Sequence, residues 1–345
     1  MKVLIVTDAW SPQVNGVVTV LRMIANAMHR RGHMVEFLSP IEFRSVPCPT
    51  YPEIRLSVLP YRRVKARIES LAPDALHIAT EGPLGLAARR YCMQRRIPFT
   101  TAYHTRFPEY VHARVRLPVA ITYHWLRNFH RHSRALMVPA PGVRRDLQRW
   151  GFLNTVPWSH GVDTEIFTPG DRDSLNTARP IFLYVGRVAV EKNIEAFLKL
   201  NLPGSKWVVG EGPLRARLER NYPHVNFAGI QPVEKLVSFY QAADAFVFPS
   251  LTDTFGLVLL EALACGTPVA AFPVAGPIDV IGNSPVGVLD WNLQSACLRA
   301  LEISRQEARR YAEGFTWDHS AQQFESYLAP IGSDVRPLAP NRMLA

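Results

Sequence analysis

The 345-residue chain reads as an α/β protein of two doubly wound parallel sheets, and three stretches predict it. Residues 2–7 form an apolar strand, residues 17–31 an amphipathic helix with Val20, Leu21, Ile24, Ala27 and Met28 on one face, and residues 34–38 a second strand. That βαβ opening begins a doubly wound sheet. Residues 181–185, Ile-Phe-Leu-Tyr-Val, open a second unit as a buried strand. Residues 243–282 then run strand, loop, helix, strand, loop, with Gly266-Thr267-Pro268 stopping the helix.

In order, the first domain is expected over residues 1–160. Residues 75–79 are a strand, residues 84–95 a helix, and residues 99–104 a strand that ends on His104. Residues 135–139 and 154–157 read as its last strands. A polar linker covers 161–180, and a second domain covers 181–310. Within it, strands are expected at 207–209, 225–229, 245–248 and 269–272, with helices at 236–242 and 257–265. Residues 311–330 hold a final helix, from 320 to 328, and 331–345 are a proline-bearing tail expected to be loosely ordered.

Composition narrows the function. No apolar run approaches the ~20 residues of a membrane span, and residues 1–8 read as a strand rather than a secretory signal. Cys48, Cys92, Cys265 and Cys297 lack CxxC spacing and are expected to be free, buried thiols in a reducing cytoplasm. The +10 net charge is concentrated: residues 85–150 hold thirteen arginines and no lysine, opposed only by Glu109 and Asp146. Such a window suits an anionic membrane surface or nucleic acid; a solvated arginine-rich face is the plainer reading. There is no GxGxxG turn after the first strand, and Gly210-Glu211-Gly212 runs into Pro213, which argues against a dinucleotide-binding dehydrogenase.

The chemistry gathers at strand ends. After residue 185 come Gly186-Arg187 and Lys192-Asn193, two cations beside a strand-to-helix turn, where a departing diphosphate needs positive charge. Phe255-Gly256-Leu257 opens the helix at 257, whose first amides can hold a phosphate. Asp253 and Glu261, eight positions apart, could accept hydrogen bonds from sugar and ribose hydroxyls. They could equally be a helix cap and a solvated helix residue, and the two cations could be surface charges. Asn15-Gly16 is by itself a plain turn. His104 stands at a strand's carboxyl end, where ligands bind in such sheets; His77 and Glu81 are weaker candidates. Asp171-Arg172-Asp173 has the form of a metal motif but lies in the linker and follows no strand, so no metal site is expected.

Taken together, Ser250, Phe255-Gly256, Glu261-Ala262, Gly266 and Pro268-Val269, with Gly186-Arg187 and Lys192-Asn193, resemble the donor site of retaining GT-B glycosyltransferases of family 4 (glycosyl transferases group 1). The likeness spans nearly the whole chain, least specifically at 40–75 and after 330. It departs where the family commonly has a first glutamate, here Asp253. The stretch 103–110 is most similar to members that glycosylate lipids or mannosylate glycolipids.

The resemblance implies two Rossmann-like domains with an interdomain cleft and a nucleotide-diphosphate sugar as substrate, GDP-mannose or a UDP-hexose or UDP-glucuronate. It implies no cofactor and no metal. Arg187 and Lys192 would stabilise the leaving diphosphate, Asp253 hold sugar hydroxyls, Glu261 the ribose, and His104 line the sugar. Asn15, Gly16, Gly186, Phe255, Gly256 and Leu257 would help bind the donor. A membrane lipid or glycolipid acceptor follows, reached by a cytoplasmic, peripheral enzyme through the 85–150 window, with no nucleic acid partner. A soluble or lipid-linked oligosaccharide acceptor, a nucleotide-sugar 2-epimerase of the same fold, and a nucleic-acid-binding protein are the competing readings.

Overall fold

A computed structural model of the chain describes residues 1–11, 13, 15–48 and 51–332, with the side chains of 51–53 and 113–115 outside the description. Pro12 and Val14, in the loop before the first helix, and most of the expected tail therefore lie outside it. The chain divides into two compact units: Met1–Ser159 joined by the segment that begins at Trp317, and His160–Thr316.

The first unit runs β1 (Lys2–Val6), α1 (Gly16–Arg30), β2 (Met34–Leu38), β3 (Ser45–Cys48), β4 (Tyr51–Ser57), α2 (Tyr61–Leu71), β5 (Ala75–Ile78) and α3 (Pro83–Arg95). It continues β6 (Thr100–Ala102), α4 (Phe107–Val115), α5 (Val119–His130), β7 (Leu136–Val138), α6 (Pro141–Arg149) and β8 (Thr155–Pro157). Among the described residues its main sheet is six-stranded and parallel, in the order β2-β1-β5-β6-β7-β8. Leu4, Val6, Leu76 and Ile78 are fully buried against Leu84, Ala88 and Cys92 of α3 and Val64 and Ile68 of α2. Each such aliphatic side chain contributes about 1.5–3 kcal/mol by leaving water.

The second unit runs β9 (Ile181–Val185), α7 (Ile194–Leu198), β10 (Ser205–Val209), α8 (Arg215–Asn221), β11 (Asn226–Gly229), α9 (Val233–Ala242) and β12 (Ala245–Phe248). Then follow α10 (Leu257–Ala264), β13 (Val269–Ala271), α11 (Ala275–Val280), β14 (Gly287–Leu289), α12 (Leu293–Ala300) and α13 (Arg305–Ala312). Its described sheet is again six-stranded and parallel, β11-β10-β9-β12-β13-β14. In both sheets the first strand of the unit is flanked by its successor on one side and a later strand on the other. That reversal of strand order is where open α/β sheets bind ligands, at the carboxyl ends.

The last helix, α14 (Trp317–Tyr327), starts three residues before the expected 320 and lies on α1 of the first unit. Glu325 joins it to Arg31 at 2.7 Å and His33 at 3.1 Å, and the indole of Trp158 donates to the Ser320 carbonyl at 3.2 Å.

Several elements were not foreseen, among them α8, α11, α12 and β14 of the second unit. The stretch 40–75 holds the antiparallel pair β3–β4, in which Val46 faces Leu56, and the helix α2. Pro47 and Pro52 hide that pair, because proline is a poor strand residue and is confined to edges such as this one. The arginine window holds three further helices, α4, α5 and α6. Cys92, Cys265 and Cys297 are buried and unbridged as expected, but Cys48 is only half-buried, because it sits on the short β3 rather than in a core.

Candidate active site

In the second unit, the loops after β9 and β12 meet at the reversal point. Gly186 follows β9 with φ +152°, and its amide donates to Val209 at 3.0 Å. A Cβ on the neighbouring Gly210 would lie 2.0 Å from the Gly186 carbonyl, so both glycines are needed where the two turns touch. The Tyr184 hydroxyl holds the Arg187 carbonyl at 2.8 Å. Residues 190–192 make one 3₁₀ turn, and Asn193 closes it in the left-handed conformation. Its side-chain amide donates to Pro249 at 3.1 Å, while Thr252 Oγ1 donates to Glu191 O at 3.2 Å. The two loops are thus stitched together.

Across that seam Lys192 Nζ donates to Asp253 Oδ1. The second carboxylate oxygen of Asp253 is buried with no protein donor. Asp253 therefore does not cap the helix; it is the counter-ion of Lys192. The helix α10 starts instead from Gly256, at φ +87°, with no side-chain cap. Its first amides point out of the helix end with the positive pole of its dipole. Phe255 is buried beside the His160 ring, at 5.1 Å between centroids. Leu257 is the first helical residue.

Glu261 lies on the next turn of α10, half-buried rather than solvated. Its Oε2 accepts from the Tyr240 hydroxyl at 2.8 Å. Burial pushes its carboxyl up to about 7, against the lowering effect of that hydrogen bond. Arg187, Lys192, Asp253, Gly256 and Leu257 thus belong to one strand-end neighbourhood, with Glu261 further along α10.

The first unit carries the remaining candidates. Asn15 is the N-cap of α1 rather than a plain turn: its Oδ1 accepts from the Val18 amide at 3.1 Å, and Gly16 is the first helical residue. His104 follows β6 by two residues, edge-on to Trp158 at 5.7 Å. Burial pulls its imidazole down to about 4, so it is neutral at pH 7. His77 is a core residue, bonded to Thr100 Oγ1 at 2.9 Å and packed against Phe324; burial lowers it to about 3. Glu81 Oε1 lies 3.2 Å from His130 Nε2. Neither is set for chemistry.

The arginine window is not one free patch. Arg89 holds the carbonyls of Asn128 and Phe129, Arg127 that of Trp150, Arg144 the Thr155 hydroxyl, and Arg106 pairs with Asp146 at 2.8 Å. These guanidiniums tie helices together because the carbonyls at helix ends need donors. Arg90, Arg95, Arg96, Arg116, Arg131, Arg145 and Arg149 remain exposed.

Asp171-Arg172-Asp173 is structural: Asp171 accepts from the Asp173 amide, and Arg172 pairs with Asp244 at 2.6 Å. Among the described residues no cluster of His, Cys, Asp or Glu could hold a metal ion.

Two residues escaped the sequence reading. Tyr240 lies 21 positions before Glu261, and nothing local marks it. Asp8 follows β1 by two residues and lies across the first unit's reversal point from Thr80: its carboxylate accepts from the amides of Leu84 at 2.9 Å and Gly85 at 3.3 Å and from Thr80 Oγ1 at 2.9 Å.

Comparison with known proteins decides the family. The Glycosyltransferase Family 4 profile matches residues 14–166, and the Glycosyl transferases group 1 profile matches residues 171–290. The chain belongs to glycosyltransferase family 4. This transferase is 27% identical to a GDP-mannose-dependent alpha-mannosyltransferase of Mycobacterium tuberculosis, over 92% of this chain and 93% of that one. It is 25% identical to an alpha-monoglucosyldiacylglycerol synthase of Streptococcus pneumoniae, over 97% and 87%. The solved sucrose-phosphate synthase of Thermosynechococcus elongatus superposes with a TM-score of 0.77 at 21% identity, covering 94% of this chain and 97% of that one. The transferase has the GT-B fold of two Rossmann-like domains, and it is a hexosyltransferase that uses a nucleotide sugar. No helix among the described residues is long and apolar enough to cross a membrane.

Proposed function

We propose that the transferase moves a hexosyl group, with retention, from GDP-mannose or a UDP-hexose or UDP-glucuronate to a membrane lipid or glycolipid. The observation that carries the donor side is the uncapped start of α10 beside the stitched loops that hold Arg187 and the Lys192–Asp253 pair. A diphosphate there meets helix amides and two cations without further rearrangement of the backbone. Arg187 and Lys192 take up the charge that develops as the bond from phosphate to the anomeric carbon breaks, so no metal is required. On meeting the phosphates, Lys192 shares its charge, and Asp253 turns its unsatisfied oxygen to a sugar hydroxyl.

The same elements support a front-face course. The acceptor hydroxyl oxygen bonds to the anomeric carbon, the phosphate oxygen leaves on the same face, and the acceptor proton passes to that oxygen. Neutral His104 lines the sugar side, and the residues at Asn15 and Gly16 approach the phosphates. Glu261 holds the ribose.

The named relatives favour mannose from GDP and a lipid acceptor. One surface of the first unit also favours a lipid acceptor: Phe107 of α4 and Ile121 and Trp125 of α5 are exposed, with Phe107 and Trp125 6.3 Å apart, and exposed Arg116 lies between the two helices. Exposed apolar side chains beside an exposed arginine suit an anionic bilayer on the cytoplasmic face.

The test is thermal stabilisation by a panel of UDP- and GDP-sugars in the presence of a chelator. One donor should raise the Tm, and Lys192→Ala should abolish the shift. No shift with any member would overturn the donor site. Flotation with anionic vesicles, lost in Ile121→Asp/Trp125→Asp, checks the membrane arm; equal flotation of that variant would refute it.

A further inference from the structure

We propose that Tyr240 is a positioning residue for the donor, fixing Glu261 so that its carboxylate meets the ribose hydroxyls as an ionised acceptor. This rests on the assignment of Glu261 to the ribose.

Tyr240 is fully buried on α9, between the rings of Phe167 at 5.9 Å and Phe246 at 5.7 Å. Its backbone is anchored as well: Thr267 Oγ1 donates to the Tyr240 carbonyl at 2.5 Å. The guanidinium of Arg305 reaches the carbonyls of Gln241 at 2.8 Å, Ala243 at 2.6 Å and Cys265 at 3.3 Å, tying the end of α9 to the end of α10. The phenol therefore cannot follow Glu261 if the carboxylate moves; the carboxylate is held to the phenol. With Oε2 taken at 2.8 Å, Oε1 keeps its two lone pairs for the ligand's hydroxyls.

The charge state matters because only a carboxylate accepts from both hydroxyls of a diol; a carboxylic acid uses one oxygen to donate. Burial favours the acid and the phenol favours the carboxylate. The other groups on the packed elements are few. On α13, Arg309 donates to Phe167 O and Ala264 O, and Arg305 is committed as above. Cys265 ends α10 with its thiol pushed up to about 12. On α9, Glu234 and Lys235 are exposed, α11 contributes Asp279, and β12 and β13 are apolar. Tyr240 makes the hydrogen bond that opposes protonation. Donor binding should therefore strengthen as pH rises through about 7, with the phenol setting that midpoint.

The experiment measures affinity for GDP-mannose and UDP-glucose from pH 5.5 to 9, since their diesterified phosphates hold their charge across this range. Tyr240→Phe keeps the buried ring and removes only the hydroxyl. Its midpoint should move up by about one pH unit, giving roughly tenfold weaker binding at pH 5.5 and roughly fivefold at pH 7 that recovers at pH 9. Glu261→Gln should flatten the profile, and Tyr240→Phe should add nothing to it. A merely structural Tyr240 would lower Tm and leave the midpoint in place, which would overturn the inference. If Glu261→Gln itself binds donor with the parent's profile, the ribose assignment fails instead.

Discussion

The two units wind the same way and treat the same place oppositely. In the first, the start of α3 at the reversal point is filled from within: Asp8 sits on the Leu84 and Gly85 amides, so tightly that a Cβ on Gly82 would lie 2.4 Å from its carboxyl carbon. In the second, the equivalent start of α10 has no side-chain cap, and the acid nearby, Asp253, is held off by Lys192. One unit fills this place with its own carboxylate; the other leaves it without a side-chain cap, as the proposed donor site requires. A fold alone therefore does not say which half binds phosphate. The carboxylate at position 8 is the difference that the proposed donor site rests on.

The contrast is broken most severely by Lys192→Ala. Removing the cation should lower kcat/KM by about 10²–10³-fold, the usual effect of losing one preorganised charge-stabilising group. The Tm of the free protein should fall as well, since the change leaves the largely buried Asp253 carboxylate without its counter-ion. Steady-state kinetics and a melting curve on one preparation check both halves.

Asp8 supplies the next largest effect, on stability rather than activity. Burial raises its carboxyl from 3.8 to about 6, outweighing the amides of Leu84 and Gly85 and the Thr80 hydroxyl. Because the folded value lies above the unfolded one, the stabilising contribution is complete below pH 4 and is lost as pH rises through 6. The loss is on the order of 3 kcal/mol. Asp8→Asn should flatten that part of the pH dependence of denaturant unfolding, and an unchanged slope would refute the assignment.

The smallest effect sharpens the other side. Gly256→Ala forces a side chain into φ +87° with Leu259 Cδ1 at 3.0 Å and Phe248 Cζ at 3.2 Å. It should cost about 1 kcal/mol of stability while misplacing the first amides of α10, so donor affinity should fall as well. Calorimetry of folding and of donor binding separates the two.

The same contrast explains what could be read from the chain. The second unit was legible because its chemistry is local: β9 and β12 were placed residue for residue, and the Gly186–Asn193 and Asp253–Glu261 runs each carry their spacing within one loop and helix start. What escaped depends on distant partners. Asp8 finds amides 76 and 77 positions away, and Tyr240 reaches Glu261 across two elements. Neither leaves a trace in periodicity. The charge of the 85–150 window was legible, but not its use. Arginine reads the same in sequence whether it faces solvent or holds a helix end, as Arg89 does.

If the donor binds as proposed, it lies on the loops stitched from Asn193 to Pro249 and from Thr252 to Glu191, and its binding energy is added to that unit. Ligand that binds only the folded state adds about 2.7 kcal/mol at a hundred times its dissociation constant, and it adds this to one half of the chain. Sugar-nucleotide starvation would then shorten the protein's lifetime from the His160–Thr316 side, while the self-filled half stays indifferent to supply. Limited proteolysis with and without donor would display that asymmetry as a first cut that moves out of the second unit when donor is present.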